Sequence, residues 1–267
     1  VTEPTLADDL ALALELADAA DTVSLDRFRS LDLVVEQKPD RTPVTDADRA
    51  VERIIRDGLA ARRPGDSILG EEYGETGSSP RQWIIDPIDG TANFLRGVPV
   101  WATLIALVVD GTPVLGVVSS PAFQKRWWAS TGRGAWLIET GPGHTAAPQR
   151  LAVSGVTGLT DASISYNSLK GWDEAGSLDD LMRLSRAVWR TRAYGEMWSY
   201  MMVAEGLVDV SGEYDLQPYD VAALIPIVEE AGGRFTSLTG GEALHAGNAL
   251  ATNGLLHAET LALLARS

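Results

Sequence analysis

The strongest constraint in this sequence is the run Trp83-Ile84-Ile85-Asp86-Pro87-Ile88-Asp89-Gly90-Thr91. Three large apolar residues in succession make a strand buried on both faces. The strand is expected to end abruptly at Asp86-Pro87, because proline has no amide hydrogen to give to a ladder. A chain that drives such a strand into its core must leave two aspartates at its end. Gly90 lets the backbone approach a ligand, and Ala92-Asn93-Phe94-Leu95 can start a helix behind it. The amides of Gly90 and Thr91 would then stand at a helix N-terminus, where an anion is favoured. A plain Asp-Pro and Asp-Gly turn fits the same residues, and the run alone does not decide between the two.

Three further acidic pieces have the same ambiguity. Gly70-Glu71-Glu72 follows a short strand and, taken alone, is a solvated pair. Asp220 in Tyr219-Asp220-Val221-Ala222-Ala223 stands at a helix start, where an N-cap is the plainer reading. Thr45-Asp46-Ala47-Asp48 reads as a capping box with Thr45 at N-cap and Asp48 at N3, which leaves Asp48 free for a catalytic role as well.

Composition narrows the chemistry. The absence of cysteine excludes disulfides, thiolate metal sites and a cysteine nucleophile. His144, His245 and His257 are scattered, without the spacing of a zinc site, and are expected on the surface or in loops. A metal here would have oxygen ligands, which favours magnesium or manganese. With 22 basic and 37 acidic residues, the net charge of -15 argues against nucleic acid and anionic membranes as partners. It also repels a phosphate ester, so phosphate chemistry must bring its own cations. The longest apolar runs are of strand length, and the expected location is cytoplasmic.

Periodicity predicts a helix from Thr5 to Phe28 with Leu6, Leu10, Leu14 and Ala17 on one stripe, and a second from Thr45 to about Ala61. Strands are expected at Ser67–Gly70, Trp101–Val109, Val114–Ser119, Arg126–Ala129 and Gly134–Leu137. Asp110-Gly111 and Gly132-Arg133 read as two-residue hairpin turns, and Gly74–Pro80 as a polar flexible loop. Strands near Ile164, Val210 and Phe235 are expected to alternate with helices over Leu178–Ala187, Gly195–Glu205 and Val221–Ala231. Trp127-Trp128 suits core and interface packing, whereas Trp101 and Trp198 are candidates to line a pocket.

In chain order, Gly70-Glu71-Glu72, Trp83 to Thr91, Asp220-Val221-Ala222-Ala223 and Glu230-Ala231-Gly232-Gly233 resemble the inositol monophosphatase family over nearly the whole length. The family usually has tryptophan where Tyr219 stands. The resemblance implies an α/β (α+β) fold, a layered αβαβα sandwich. Residues 1–145 would form an N-terminal half with the metal and phosphate motifs. Residues 146–267 would form a C-terminal half with the substrate-selecting residues and the last metal aspartate. It further implies a homodimeric phosphate monoester hydrolase using two or three Mg²⁺ ions, with Mn²⁺ as a substitute. Glu71, Asp86 and the Ile88 carbonyl would hold one ion; Asp86, Asp89 and Asp220 a second; a third would lean on Glu71. Glu71, Thr91 and Asp48 would be catalytic, Thr91 with Asp48 orienting a water for in-line attack. Substrate contacts would include Glu71, Ile88, Asp89, Gly90, Thr91 and Asp220. Lys38 either reaches the phosphate or is a solvated loop lysine.

The second half carries a narrower resemblance. Arg192-Ala193-Tyr194-Gly195-Glu196, with Tyr200 beyond, resembles the histidinol-phosphate phosphatases of this superfamily, as does Gly97-Val98-Pro99-Val100-Trp101-Ala102. That substrate carries an ammonium and an imidazole where inositol carries only hydroxyls, so an extra carboxylate rewards it selectively. The resemblance therefore implies Glu196 and Glu213 as substrate contacts, with Arg192 closing on the ester. Glu196 as a helix-start acid and Arg192 as the partner of a surface acid fit the same positions. The alternatives are an inositol-1-phosphate or general sugar-phosphate phosphatase, and a regulatory or scaffold protein of the same fold.

Overall fold

The structure, a computed structural model, describes residues 4–37, 43–141 and 147–265. The chain opens with α1 (Leu6–Arg27), the paired strands β1 (Val35–Gln37) and β2 (Pro43–Thr45), and α2 (Asp46–Arg62). Then come β3 (Ser67–Gly70), β4 (Gly74–Thr76), β5 (Arg81–Asp89), the short α3 (Thr91–Leu95) and a meander of β6 (Ala102–Val109), β7 (Thr112–Ser120), β8 (Lys125–Ser130), β9 (Ala135–Glu139) and β10 (Gln149–Arg150). The second half runs β11 (Ser163–Ser165), α4 (Leu169–Glu174), α5 (Leu178–Ala187), β12 (Arg190–Arg192), α6 (Glu196–Ala204) and β13 (Val210–Tyr214). It closes with α7 (Pro218–Val221), α8 (Leu224–Glu230), β14 (Arg234–Thr236), β15 (Asn248–Thr252) and α9 (His257–Leu264).

Strands β3 to β10 form one sheet in the order β10-β9-β8-β7-β6-β5-β3-β4, and a second sheet has the order β12-β11-β13-β15-β14. Side-chain alternation sorts the first sheet onto two layers. Trp83, Ile85, Ile105, Leu107 and Val117 meet Leu12, Leu16, Val51, Ile55 and Leu59 of α1 and α2. The other face, through Ile84, Leu104, Val118 and Trp127, meets α6 and α8, which also rest on Phe235, Ala249 and Ala251 of the second sheet. The outer face of that sheet is covered by Trp172, Leu181, Leu184 and Leu264 of α4, α5 and α9. The layers therefore run α, β, α, β, α. The internal boundary expected between residues 145 and 146 lies outside the described residues, and β10 beyond it still pairs with β9.

Several local expectations need correction. The buried face of α1 is Leu12, Ala13, Leu16, Ala17 and Ala20; of the expected stripe Ala17 lies on it, and Leu6, Leu10 and Leu14 pack at its margin. The alanines let the helix approach the sheet closely, so leucine spacing misplaces the face. Buried Asp9 on that face is held by Arg63 at 2.7 Å and Arg81 at 2.8 Å. Gly74–Thr76 is an edge strand on β3 within the expected loop. The helix expected over Val221–Ala231 is two pieces, α7 and α8. Pro226 has no amide to give the Ala222 carbonyl, so helix must restart with proline in its first turn. The expected Gly132-Arg133 turn is a longer connection from Ser130 to Ala135. His257 is buried, its ring nitrogens 3.1 Å from Thr236 Oγ1 and 3.0 Å from Thr252 Oγ1, and burial lowers its pKa to about 4. His144 lies outside the described residues.

Candidate active site

β5 does not stop at Asp86. It continues to Asp89, and its register against β6 shifts between those two residues. The proline sits in this bulge, where a missing ladder donor does little harm. The Ile88 amide donates to Asp86 Oδ1 at 3.0 Å, and Thr103 Oγ1 donates to the Pro87 carbonyl at 2.8 Å. Gly90 follows with φ of 89°, and a Cβ there would lie 2.9 Å from the Val100 carbonyl and 3.2 Å from Glu196 Cγ. Only glycine fits that turn.

Asp220 arrives from the other half, on α7. It is not an N-cap: it sits at the third helical position and accepts from the Gln217 amide at 2.6 Å. One oxygen each from Asp86, Asp89 and Asp220 lie within 4.8 Å of one another. Burial is the chief reason all three carboxyls hold protons more strongly than usual. Neighbouring Glu71, Asp89 and Asp220 add to the effect at Asp86, and Glu196 and Asp220 add to it at Asp89. Asp220 rises to about 7, with Glu71, Glu196 and Asp215 adding to burial. Carboxylates this close and this buried cannot all remain ionised without cations among them. Their oxygen-only donor set fits a hard divalent cation.

Glu71 hydrogen-bonds to Asp86, placing it at the same cluster. It is positioned by a residue the sequence reading passed over. Glu52, fully buried on α2, accepts from the Glu72 amide at 2.7 Å, the Tyr73 amide at 3.2 Å and Arg56 Nε at 2.7 Å. It lies one helical turn beyond Asp48, a spacing that could have revealed it. Asp48 itself is buried. It accepts from the Thr45 amide at 2.8 Å, Thr45 Oγ1 at 2.5 Å and Thr91 Oγ1 at 2.9 Å, and burial raises its pKa. The expected capping box is formed, and the same carboxylate also holds Thr91.

The second half meets this cluster at the start of α6. The Met197 amide donates to Asp89 Oδ2 at 2.7 Å, a helix N-terminus facing a carboxylate. Glu196, at φ of 50°, packs on Gly90 and accepts from Asn93 Nδ2 at 3.0 Å, which also donates to the Val100 carbonyl. Glu213 on β13 accepts from Asn167 Nδ2 at 2.5 Å, and burial pushes its pKa to about 8. Asp89, Glu196, Tyr200, Glu213, Asp215 and Asp220 line a cavity of about 210 Å³. Asn93, Asn167, Tyr200 and Asp215 were not singled out as site residues in the sequence, because only the fold brings them here.

Other candidates lie elsewhere. Arg192 is exposed on edge strand β12, donates to the Thr191 carbonyl at 2.7 Å, and shares a surface depression with Trp189. Trp101 is buried against Phe28 and Phe94, and Trp198 packs on Phe123 and Tyr194; neither lines the acidic cavity. Trp127 is core. Lys38 falls outside the described residues. A larger groove of about 1280 Å³ between α1 and β7 to β9, bordered by Asp21, Phe28 and Arg126, takes in none of the candidate residues.

Among the described residues, no helix is long and apolar enough to cross a membrane. Residues 6–267 match the model of the inositol monophosphatase family. A histidinol-phosphatase of Streptomyces coelicolor is 56% identical over 265 residues, covering 98% of each chain. A histidinol-phosphatase of Mycobacterium tuberculosis is 56% identical over 258 residues, 96% of this chain and 98% of the other. Among solved structures, an inositol monophosphatase from Zymomonas mobilis superposes with a TM-score of 0.84 at 31% identity, over 98% of this chain and 99% of its own. A carboxylate cluster, a layer order and a full-length match agree: this chain belongs to the inositol monophosphatase family.

Proposed function

We propose that this protein hydrolyses L-histidinol phosphate to L-histidinol and phosphate, the activity for which its two 56% identical relatives are named. The observation that carries this reading is the Glu196 carboxylate, packed on Gly90 and raising the pKa of Asp89. A phosphate held at the Gly90 and Thr91 amides has its leaving alcohol on this side, and a carboxylate there favours a leaving group with an ammonium.

Glu71, Asp86, the Ile88 carbonyl, Asp89 and Asp220 would hold two or three Mg²⁺ ions, or Mn²⁺ in their place. Such ions supply charge neutralisation at the phosphoryl and leaving oxygens and make water more acidic. The chain's own residues do the rest. Thr91 gives its hydroxyl hydrogen to Asp48, which turns its lone pairs toward an attacking water. As that water loses a proton to Thr91 Oγ1, the Thr91 proton passes to Asp48, whose burial makes it a stronger base than a solvated aspartate. The reading includes a homodimer, the two halves meeting near residue 145, and a cytoplasmic place in histidine biosynthesis.

The test is phosphate release with Mg²⁺ from histidinol phosphate, inositol 1-phosphate and glycerol 2-phosphate. Histidinol phosphate should be preferred by at least about tenfold in kcat/KM, the scale of one charged contact. Equal or faster turnover of inositol 1-phosphate would refute the substrate. Full activity after chelation would refute the ions.

A further inference from the structure

The acidic cavity has a second, deeper polar end that the reaction at phosphorus does not use. Tyr200 is 1% exposed, and its hydroxyl, itself buried, has no partner at hydrogen-bonding geometry. Its neighbour is Glu213, which it reaches only as a loose, poorly aligned hydrogen bond that favours the ionised carboxyl. Glu213 is clamped from the other side by Asn167. The Tyr200 ring is fixed by stacking on Phe235 at 5.4 Å between centroids. A buried hydroxyl without a well-aligned partner is costly, and a ligand that completes it is one way a native fold keeps it. Here the hydroxyl and a carboxylate border one cavity of about 210 Å³, with Asp215 at its rim.

The two groups differ in what they can take. Glu213 presents a carboxyl oxygen as an acceptor, whereas the Tyr200 hydroxyl can donate. A neutral imidazole has one N–H donor and one bare nitrogen acceptor, so it satisfies both at once. A hydroxyl of a polyol can do this only by turning, and an ammonium has no acceptor to offer Tyr200. The order of groups along the cavity agrees. Glu196 packs on Gly90, next to where the ester must sit, while Glu213 and Tyr200 are reached from β13 and the body of α6. In histidinol phosphate the ammonium is one carbon from the ester carbon and the ring lies further out. We infer that Tyr200, with Glu213 held by Asn167, forms a subsite for an uncharged imidazole ring, leaving the ammonium to Glu196. This rests on the substrate reading above and assigns Tyr200 as a residue that sets specificity.

The experiment compares wild type with Tyr200→Phe on three esters with Mg²⁺: histidinol phosphate, phosphoethanolamine (ammonium without a ring) and glycerol 2-phosphate. Phenylalanine keeps the stack on Phe235, so only the hydroxyl is lost. The kcat/KM on histidinol phosphate should fall about tenfold, mostly through KM, the scale of one hydrogen bond. The other two esters should change less than about twofold. Calorimetric titration of L-histidinol into the protein should weaken by the same factor. Asn167→Ala, which frees Glu213, should show the same selective loss. Equal losses on all three esters, or no loss on histidinol phosphate, overturns the inference while wild type still prefers that substrate. A wild type that turns over histidinol phosphate no faster than glycerol 2-phosphate overturns the substrate reading and the subsite together.

Discussion

Glu52→Gln tests how the position of Glu71 is maintained. The Glu52 side chain is fully buried and receives three N–H groups: the Glu72 amide on Oε2, and the Tyr73 amide and Arg56 Nε on Oε1. Glutamine has one acceptor oxygen. In its better orientation that oxygen keeps the two donors at Oε1, and its NH₂ then faces the Glu72 amide. One charge-assisted bond is lost, worth about 1.5–3 kcal/mol, and a buried N–H is left unpaired, costing about 1–3 kcal/mol. These overlap, so the net loss is about 3–4 kcal/mol. For a chain of this size each kcal/mol lowers Tm by about 2–4 °C, giving a fall of about 6–16 °C. The released amide directly follows Glu71, and a displacement of an ångström at a catalytic group costs up to about a hundredfold in rate. Calorimetry should show the lower Tm, and phosphate release should show a lower kcat and a higher Mg²⁺ requirement. A Tm within 2 °C of wild type, about the effect of a surface change, would refute this account of Glu52.

Other outcomes follow from the same geometry. Asp89→Asn and Asp220→Asn should each lower kcat by about two or more powers of ten, the scale of losing one transition-state stabiliser. Both should fold, because asparagine can still accept from the Met197 or Gln217 amide; near-normal turnover in both would misplace the site. Gly116→Ala puts a Cβ 2.1 Å from the Ala223 carbonyl oxygen, so α8 must move by about an ångström. Overpacking of this kind costs about 1–3 kcal/mol, and urea unfolding should show it, with activity falling too because Ala223 is three residues from Asp220. In metal-free protein, Asp220 at about 7 and Glu213 at about 8 hold protons that the unfolded chain gives up near pH 4. Stability should therefore fall as pH rises from about 4 to 8, and saturating Mg²⁺ should reverse that slope. A metal-free protein most stable at pH 8 would contradict it.

The layered fold was legible through the family resemblance that the motifs carry, and the pieces of the acidic cluster through local sequence: an apolar run, a turn, a capping box. Element boundaries were less so. Pro87 looks like a terminator, yet a bulge carries β5 past it, and Pro226 was the overlooked residue that splits the last long helix. The stripe read on α1 caught Ala17 but took Leu6, Leu10 and Leu14 in place of Leu12 and Leu16, which with the alanines carry the contact with the sheet. The end of the cavity at Glu196 and Glu213 was visible only in part. Glu196 and Glu213 stood out by position, but the fold alone joins Asn93 to Glu196 and Asn167 to Glu213 across long stretches of chain. Arg192, expected as a substrate contact or as the partner of a surface acid, sits on an exposed edge strand outside the residues that line the cavity, where its side chain reaches the neighbouring Thr191 carbonyl.

Glu196 sits at φ of 50°, in the left-handed region that costs a residue with a Cβ about 1–2 kcal/mol. Glycine at this position would relieve that strain and discard the carboxylate. Against that gain stand the hydrogen bond from Asn93 and the greater chain entropy of glycine, so the altered protein would keep about the same stability and fold. What would disappear, on the proposed function, is the contact with the ammonium of the leaving group. On the proposed function, part of the choice among leaving groups is therefore held by one residue in a strained backbone conformation.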